Sequence, residues 1–533
     1  TATTGTLPQD VSDRGFLIAN NGTDYYVNDA SLIGDEHTSA VGDNANSGRT
    51  VDAPMASLAA IFRAYDLGGG DVVFVDTGDY QLPTNIVITA QDAGVEIRGP
   101  QVAGHRAVLD RGNTAGGSYV FELNDADGVI LSNLAITGAQ YGVYASTSSD
   151  SDDVIFRDVE VYNNSSRGIY FATSNDGTLL ENVVAHDMAG GFGVYLQGVD
   201  ATVTGGEFYR SSYGVYLSGA GGTVSGARAW GNARGLSLIG TGSRVENSVA
   251  FANSYGIDVS TAMVVGNQVY ANTTGMILGS GTAYGNEIHS NGTGVTVSTG
   301  ILRENQIYNN SGLGVSVSNN ADVGFNRIYT NGIGVRIAPN SFYARVELRN
   351  NVIYDNTTFA LEIRGGAGGH QIENNTIMHD GGTAVDVVAG TQNAQIRNNI
   401  FVISNGRGIN VANDSQLGFR SDYNLYDLGV GGSVARWEGI DFANVVDWFY
   451  EIGQGRHSIE GDPQLIDSDG LDDFLGYDSA KTGEVFIIDD GDVGFSTVGV
   501  WVPRVDGFGG DSLDAAPSSE ADAVASWTFS GLA

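Results

Sequence analysis

Two stripes of aromatic and arginine side chains, repeated at fixed intervals, are the residues of this sequence best suited to chemistry. Tyr144, Tyr170, Tyr195 and Tyr216 occupy one recurring position; Tyr141, Arg167, Phe192, Tyr213, Arg234 and Tyr255 occupy another, three residues ahead of it. Aromatic faces stack on the C–H faces of sugars, and a guanidinium fork grips a carboxylate or sulfate bidentately. Four tyrosines one above another span about 14 Å, the length of a few sugar rings, and an exposed aromatic surface of that extent needs a partner. The plainer reading is that tyrosine favours strands and stacks on itself. Recognition is preferred because the stripes are confined to residues 141–255, after which Asp258, Thr296 and Ser316 take the tyrosine position.

Carboxylates offer a second chemistry. Asp258, Glu362 and Asp386 share the tyrosine position, but only Glu362 and Asp386 fall in adjacent units, the arrangement a glycoside hydrolase would use. Asp467, Asp469, Asp472 and Asp473 form a turn with Asp-x-Asp-Gly spacing that converges oxygens on a hard cation, so Ca2+ is the expected metal. Asp150, Asp152 and Asp153 make a second acidic turn, and Asp489, Asp490 and Asp492 a third.

What positions these residues is a repeat. Gly-aliphatic-x-aliphatic returns every 19 to 25 residues from Gly168 to Val411, as in Gly294-Val295-Thr296-Val297 and Gly314-Val315-Ser316-Val317. Ahead of it runs Asn-x-[Val/Ile]-aromatic-x-Asn, as in Asn286 to Asn291 and Asn305 to Asn310. Two short β-patterned segments per twenty-residue unit predict a β-solenoid, whose units bury their apolar faces only by stacking. Alternation points the two aliphatics inward and the intervening residue outward. A column of aromatics (Tyr162, Tyr209, Trp230, Phe251, Tyr270, His289, Tyr308, Tyr329, Tyr354, Phe401) precedes the aliphatic one, with His186 and His379 filling the remaining turns. Asn253, Asn272, Asn291, Asn310 and Asn331 fit turns in which amides bond along the axis and backbones adopt left-handed conformations.

Composition narrows the classes. The 533 residues include 77 glycines, 8 prolines and no cysteine, which excludes disulfides, a cysteine nucleophile and zinc-thiolate sites. A net charge of −37, with Lys481 the single lysine, argues against nucleic-acid and anionic-membrane partners. No run approaches the ~18 apolar residues of a membrane span, and Thr1 reads as a cut inside a longer precursor.

Residues 1–80 read as an N-terminal cap: a strand at Tyr25–Val27, a helix from Pro54 to Tyr65 with Met55, Leu58, Ala59, Phe62 and Tyr65 on one face, and a buried strand at Val72–Val75. Coils fill 81–426. Residues 427–483 are irregular, with Trp437, Trp448, Phe449 and Tyr450 covering the last coil, and 484–533 begin a partial β-rich module.

The helix followed by Gly68-Gly69-Gly70-Asp71-Val72-Val73-Phe74-Val75-Asp76-Thr77-Gly78-Asp79-Tyr80 resembles the N-terminal cap of the pectate-lyase-like right-handed β-helix superfamily. The coil motifs resemble those of carbohydrate-binding and sugar-hydrolase β-helix proteins, and the resemblance runs from about Tyr25 to Leu425. The tail resembles the opening of a golvesin-type β-sandwich module. The resemblance implies an all-β, right-handed parallel β-helix and a secreted or cell-surface carbohydrate-active protein. Lyases of the superfamily abstract the proton α to a uronate carboxylate and neutralise that carboxylate with calcium or basic residues. Here the base would be His186, Tyr195, Tyr213 or an arginine, assisted by Arg167, Arg210 or Arg234. The leading expectation is therefore binding, and β-elimination, of an acidic or sulfated polysaccharide. Its rivals are a hydrolase and a non-catalytic adhesin, the latter favoured by the short loops between residues 160 and 340.

Overall fold

The computed structural model describes residues 18–19, 24–188 and 190–465, and the backbone of strands at 495–498, 501–504, 512–515 and 524–527. The chain divides into two compact units, Thr1–Gly461 and Asp462–Ala533.

The first unit is a right-handed parallel β-helix built from three long sheets. Each coil contributes one short strand to each sheet: Leu179–Glu181 to sheet 1, Val184–His186 to sheet 2 and Phe192–Leu196 to sheet 3 in one representative coil. Successive coils pair in parallel and in register, so that Ile169, Val194, Val215, Leu236, Ile257 and Met276 form one ladder line in sheet 3. All six are fully buried, as the alternation of the repeat requires. A slip of one residue would turn this whole line to solvent, which is why the register is tightly specified.

Two ladders of asparagine close the corners. Asn267, Asn286, Asn305, Asn326 and Asn351 line the turn between sheets 1 and 2, and Asn253, Asn272, Asn291, Asn310 and Asn331 the turn after sheet 2. Each side-chain carbonyl but that of Asn267, which accepts from the Ser248 backbone, accepts from the backbone and side-chain N–H of the asparagine one coil earlier, as Asn310 Oδ1 does at 3.0 Å from both groups of Asn291. The left-handed conformation falls one residue earlier than expected, on Ala252, Ala271, Ser290, Asn309 and Thr330. That residue turns the chain, and the turn aims the following amide inward, where it is nine-tenths or more buried.

The aromatic column stands on sheet 2 from Tyr162 to Tyr354, with consecutive rings 4.4–5.6 Å apart and within 13° of parallel. Phe401 does not belong to it. Its ladder partners are Ile377 and Tyr426, which places it in the inward line, fully buried. The register itself does not shift: Val352, Thr376 and Ile400 stand in line, so the place of the ring column passes to Met378 and Val402, with Phe401 one residue before it and His379 one residue beyond.

The cap residues also contribute rungs: Asp24–Val27 pairs with Val72–Val75, which pairs in turn with Glu96–Arg98 in sheet 1. Helix α1 covers Leu58–Ala64 and is shorter than expected. Ser57 caps it, while Met55 bridges to Val27 and Tyr65 turns extended to pair with Ile18. Its buried face is Leu58 and Ile61, with Ala59 and Phe62 only packed against the core.

At the far end the coils outlast the motif. Gly432–Trp437 adds a further parallel strand to sheet 3, although it lacks the glycine-aliphatic pattern. Ile440–Phe442 folds back antiparallel, and helix α2 (Val445–Ile452), capped by Asn444, buries Trp448 completely against Trp437 and Phe442. Tyr450 points to solvent instead, 78% exposed. In the second unit, strands 495–498 and 524–527 pair antiparallel, as do 501–504 and 512–515.

Candidate functional site

Sheet 3 brings the expected aromatic and arginine residues together. One ladder line reads Tyr119, Tyr141, Arg167, Phe192, Tyr213, Arg234, Tyr255; its neighbour reads Glu122, Tyr144, Tyr170, Tyr195, Tyr216, Ser237, Asp258. Tyr119 and Glu122 extend the surface by one coil and escaped the sequence reading because Tyr119-Val120-Phe121-Glu122 has no glycine. Tyr119 stacks on Tyr141 and Tyr144 at 5.5 and 4.3 Å.

The rings do not form a uniform pile. Tyr144 and Tyr170 are stacked at 25°, whereas Tyr170–Tyr195 is tilted by 57° and Tyr195–Tyr216 is edge-to-face at 77°. Tilted pairs leave part of each ring face uncovered by its neighbour, unlike the parallel column on sheet 2. Gln197 ties two of them, accepting from the Tyr170 hydroxyl at 3.0 Å and donating to that of Tyr195 at 2.9 Å. Burial holds the phenols of Tyr170 and Tyr216 above their usual range and pushes Tyr119 up to about 12. These hydroxyls stay protonated hydrogen-bond donors at neutral pH.

Arg167 is the centre of the surface. Its guanidinium lies 4.2 Å from the Tyr170 ring centroid and 5.0, 5.6 and 5.2 Å from those of Tyr141, Phe192 and Tyr195. Nη1 donates to the Tyr141 hydroxyl at 2.8 Å, and the buried Nε–H has no acceptor. Among the described residues no carboxylate pairs with it. Arg234, three coils on, is also flanked by rings, those of Tyr213 and Tyr255 at 5.3 and 5.2 Å. It differs in having a partner, Asp258, at 2.7 Å.

His186 and Arg210 sit elsewhere. They project from sheet 2 in a cluster of their own, apart from Tyr195 and Arg234 on sheet 3. His186 is sandwiched between Tyr162 and Tyr209, with Nδ1 2.6 Å from Asp187 and Nε2 3.1 Å from Glu160. Arg210 grips Asp187 through two nitrogens, and Arg106 pairs with Glu160. Burial alone would lower the imidazole pKa, but the two carboxylates outweigh it and raise it. A ring covered on both faces and bonded at both nitrogens is an anchor for ion pairs, poorly placed to abstract a substrate proton.

The raised pKa sets a pH dependence. A group raised in the folded state adds stability fully below its unfolded pKa of about 6.5 and loses it as pH climbs through the folded value. The stability gap between the protein and a His186→Gln variant should therefore be widest below about pH 6.5 and narrow as pH rises above it. Thermal melts on either side of that pH measure it.

Glu362 and Asp386 are ladder partners, as the spacing predicts. Glu362, however, is 3% exposed and held by Arg336 and by Arg364 Nη1 at 2.7 Å, which closes it to a substrate. Asp386 accepts from Asn410 at 2.6 Å, and burial raises its pKa. In the turn at Asp150–Asp153, Asp152 Oδ1 accepts from the Asp176 backbone at 2.7 Å, and Asp176 Oδ1 from Val199, so acidic side chains there join successive coils. Among the described residues no group of three metal-binding side chains is assembled. Asp467, Asp469, Asp472 and Asp473, the turn at Asp489–Asp492 and most of the 484–533 module lie outside the described residues.

The sequence matches the family model described as the right handed beta helix region, over residues 148–292 and 276–423. Among solved structures it is similar to pectate lyase Pel9A, at 17% identity over 60% of this chain and 79% of that one, with a TM-score of 0.35. An alginate lyase from Paenibacillus sp. str. FPU-7 matches at 18% identity, over 50% of this chain and 89% of that one, with a TM-score of 0.29. The A-module of the mannuronan C-5 epimerase AlgE4 from Azotobacter vinelandii matches at 18% identity, over 82% of this chain and all of that one, with a TM-score of 0.30. No curated protein sequence matches.

Proposed function

This chain belongs to the right handed beta helix family, and on that scaffold we propose that the sheet 3 face from Tyr119 to Tyr255 binds an extended acidic or sulfated polysaccharide. The observation that carries this reading is Arg167. A guanidinium caged by four aromatic rings, without a carboxylate partner among the described residues, stands in a protein of charge −37. A chain this acidic has carboxylates to spare for its arginines, so one left open suits an oxyanion brought by a ligand. The tilted rings on either side offer sugars their C–H contacts, and the phenols donate hydrogen bonds to hydroxyl or acid oxygens. A secreted or surface location fits such a ligand.

Elimination on the bound glycan is the further step the superfamily resemblance suggests. It needs a base on this face, and His186 is committed to Glu160 and Asp187 on another sheet, while the hydroxyls of Tyr195 and Tyr213 are engaged by Gln197 and Arg234. Binding is therefore the reading the geometry favours, with any conversion appearing as absorbance of an unsaturated uronate.

The test is retention on a panel of immobilised uronans, sulfated glycans and neutral glucans. Retention by the acidic members is expected, and the Tyr170→Ala, Tyr195→Ala double variant should lose it. Each ring pair contributes only about 0.5–1.5 kcal/mol to folding, so that variant should keep a cooperative melt. Undiminished retention by the double variant counts against the reading.

A further inference from the structure

Arg234 repeats the setting of Arg167. Both hold the same position in sheet 3, Arg167, Phe192, Tyr213 and Arg234 being consecutive ladder partners, about 14 Å from first to last. Both lie against aromatic rings and donate to the hydroxyl of the tyrosine one coil earlier, Tyr141 for Arg167 and Tyr213 for Arg234. The difference lies in the adjoining line, where Asp258 follows Tyr216 and Ser237. Its carboxylate, partly buried, meets Arg234 Nε at 2.7 Å, although that contact is too bent to satisfy the N–H.

Building on the reading of this face as a glycan surface, we infer that Asp258 occupies a second oxyanion subsite at Arg234, and that an acid group of the bound glycan displaces it. Burial works against the charge of Asp258, Arg234 offsets it only in part, and the bent contact leaves the Arg234 Nε–H without an aligned acceptor. The face then presents two guanidinium subsites three coils apart, one open and one covered by the protein's own carboxylate. Its ligand class is a glycan bearing carboxylates or sulfates that recur along the chain. A glycan with a single terminal acid group would engage Arg167 alone.

Calorimetric titration of the full chain tests this, with polygalacturonate, chondroitin sulfate and a neutral glucan as probes. Asp258→Asn should bind the acidic probes about tenfold more tightly than the parent. Asp258→Ser, a residue this line already accommodates at Ser237 and Ser316, should do the same if the asparagine amide still occupies Arg234. In an Arg234→Gln background the gain from either change should vanish, because nothing remains to be uncovered. An equal gain with and without Arg234 would mean a general charge effect and overturns the inference, as does the absence of any gain. Chondroitin sulfate carries a uronate carboxylate beside its sulfate, so its desulfated form separates the two: binding that survives desulfation identifies the oxyanion as carboxylate, and binding lost with the sulfate identifies it as sulfate. If the parent binds none of the three probes, the glycan-binding reading itself fails, independently of Asp258.

Discussion

Replacing Asn291 with alanine should cost on the order of 3–5 kcal/mol of stability, among the largest effects of any single change in the coils. The side chain is 1% exposed. Its amide donates to Val269 O, His289 O and Asn310 Oδ1 at 2.9–3.0 Å, and its carbonyl accepts the backbone and side-chain N–H of Asn272. Alanine would strand donors and acceptors in three successive coils, each costing about 1–3 kcal/mol if left dry. Asn309, exposed in the same turn one coil on and adjoining Asn310, makes the control. Asn309→Ala should cost only about 1 kcal/mol, chiefly from its left-handed backbone. Urea unfolding of both variants compares them; equal losses would mean that the ladder carries no special weight.

Arg167→Gln should weaken binding of an acidic glycan by about a hundredfold, while leaving any affinity for neutral glucan unchanged. The glutamine keeps some polarity but loses the charge and the planar fork. Arg167→Lys should recover little, since an ammonium cannot lie flat among Tyr141, Tyr170, Phe192 and Tyr195 as the guanidinium does. Titration calorimetry at two salt concentrations reads both variants, and the parent should lose more affinity to salt than Arg167→Gln does. Full binding by Arg167→Gln, alongside loss in the tyrosine variants, would make the ligand a neutral glycan.

Much of this architecture is legible in the repeat because stacking enforces it. Gly294 shows why: a Cβ there would lie 2.5 Å from Gly314 O, so glycine marks most rungs of sheet 3, with Ala360 and Ala384 in its place at two. From such marks the ladder lines of sheet 3 follow, and with them the company of Arg167 and its four rings. Where the mark is missing the reading falters, as at Tyr119–Glu122 and at Gly432–Trp437, whose strands are set by neighbouring coils and by Trp448. Side-chain partners are harder still. Glu160 lies 26 residues from His186, and Asp258 24 from Arg234, and no local pattern shows which carboxylate claims which cation. Hence the stripe was foreseen, while the commitment of His186 to an ion-pair cluster was not.

The parallel column on sheet 2 has an optical consequence. From Tyr209 through Trp230 to Tyr270, and again from Tyr308 to Tyr354, the transition dipoles of neighbouring rings are close and fixed in mutual orientation, so each run absorbs as a coupled array, with the non-absorbing His289 between them. The near-ultraviolet dichroism of this column should thus report how many of the coils that carry it are intact, in a signal that shrinks as unwinding proceeds inward from an end.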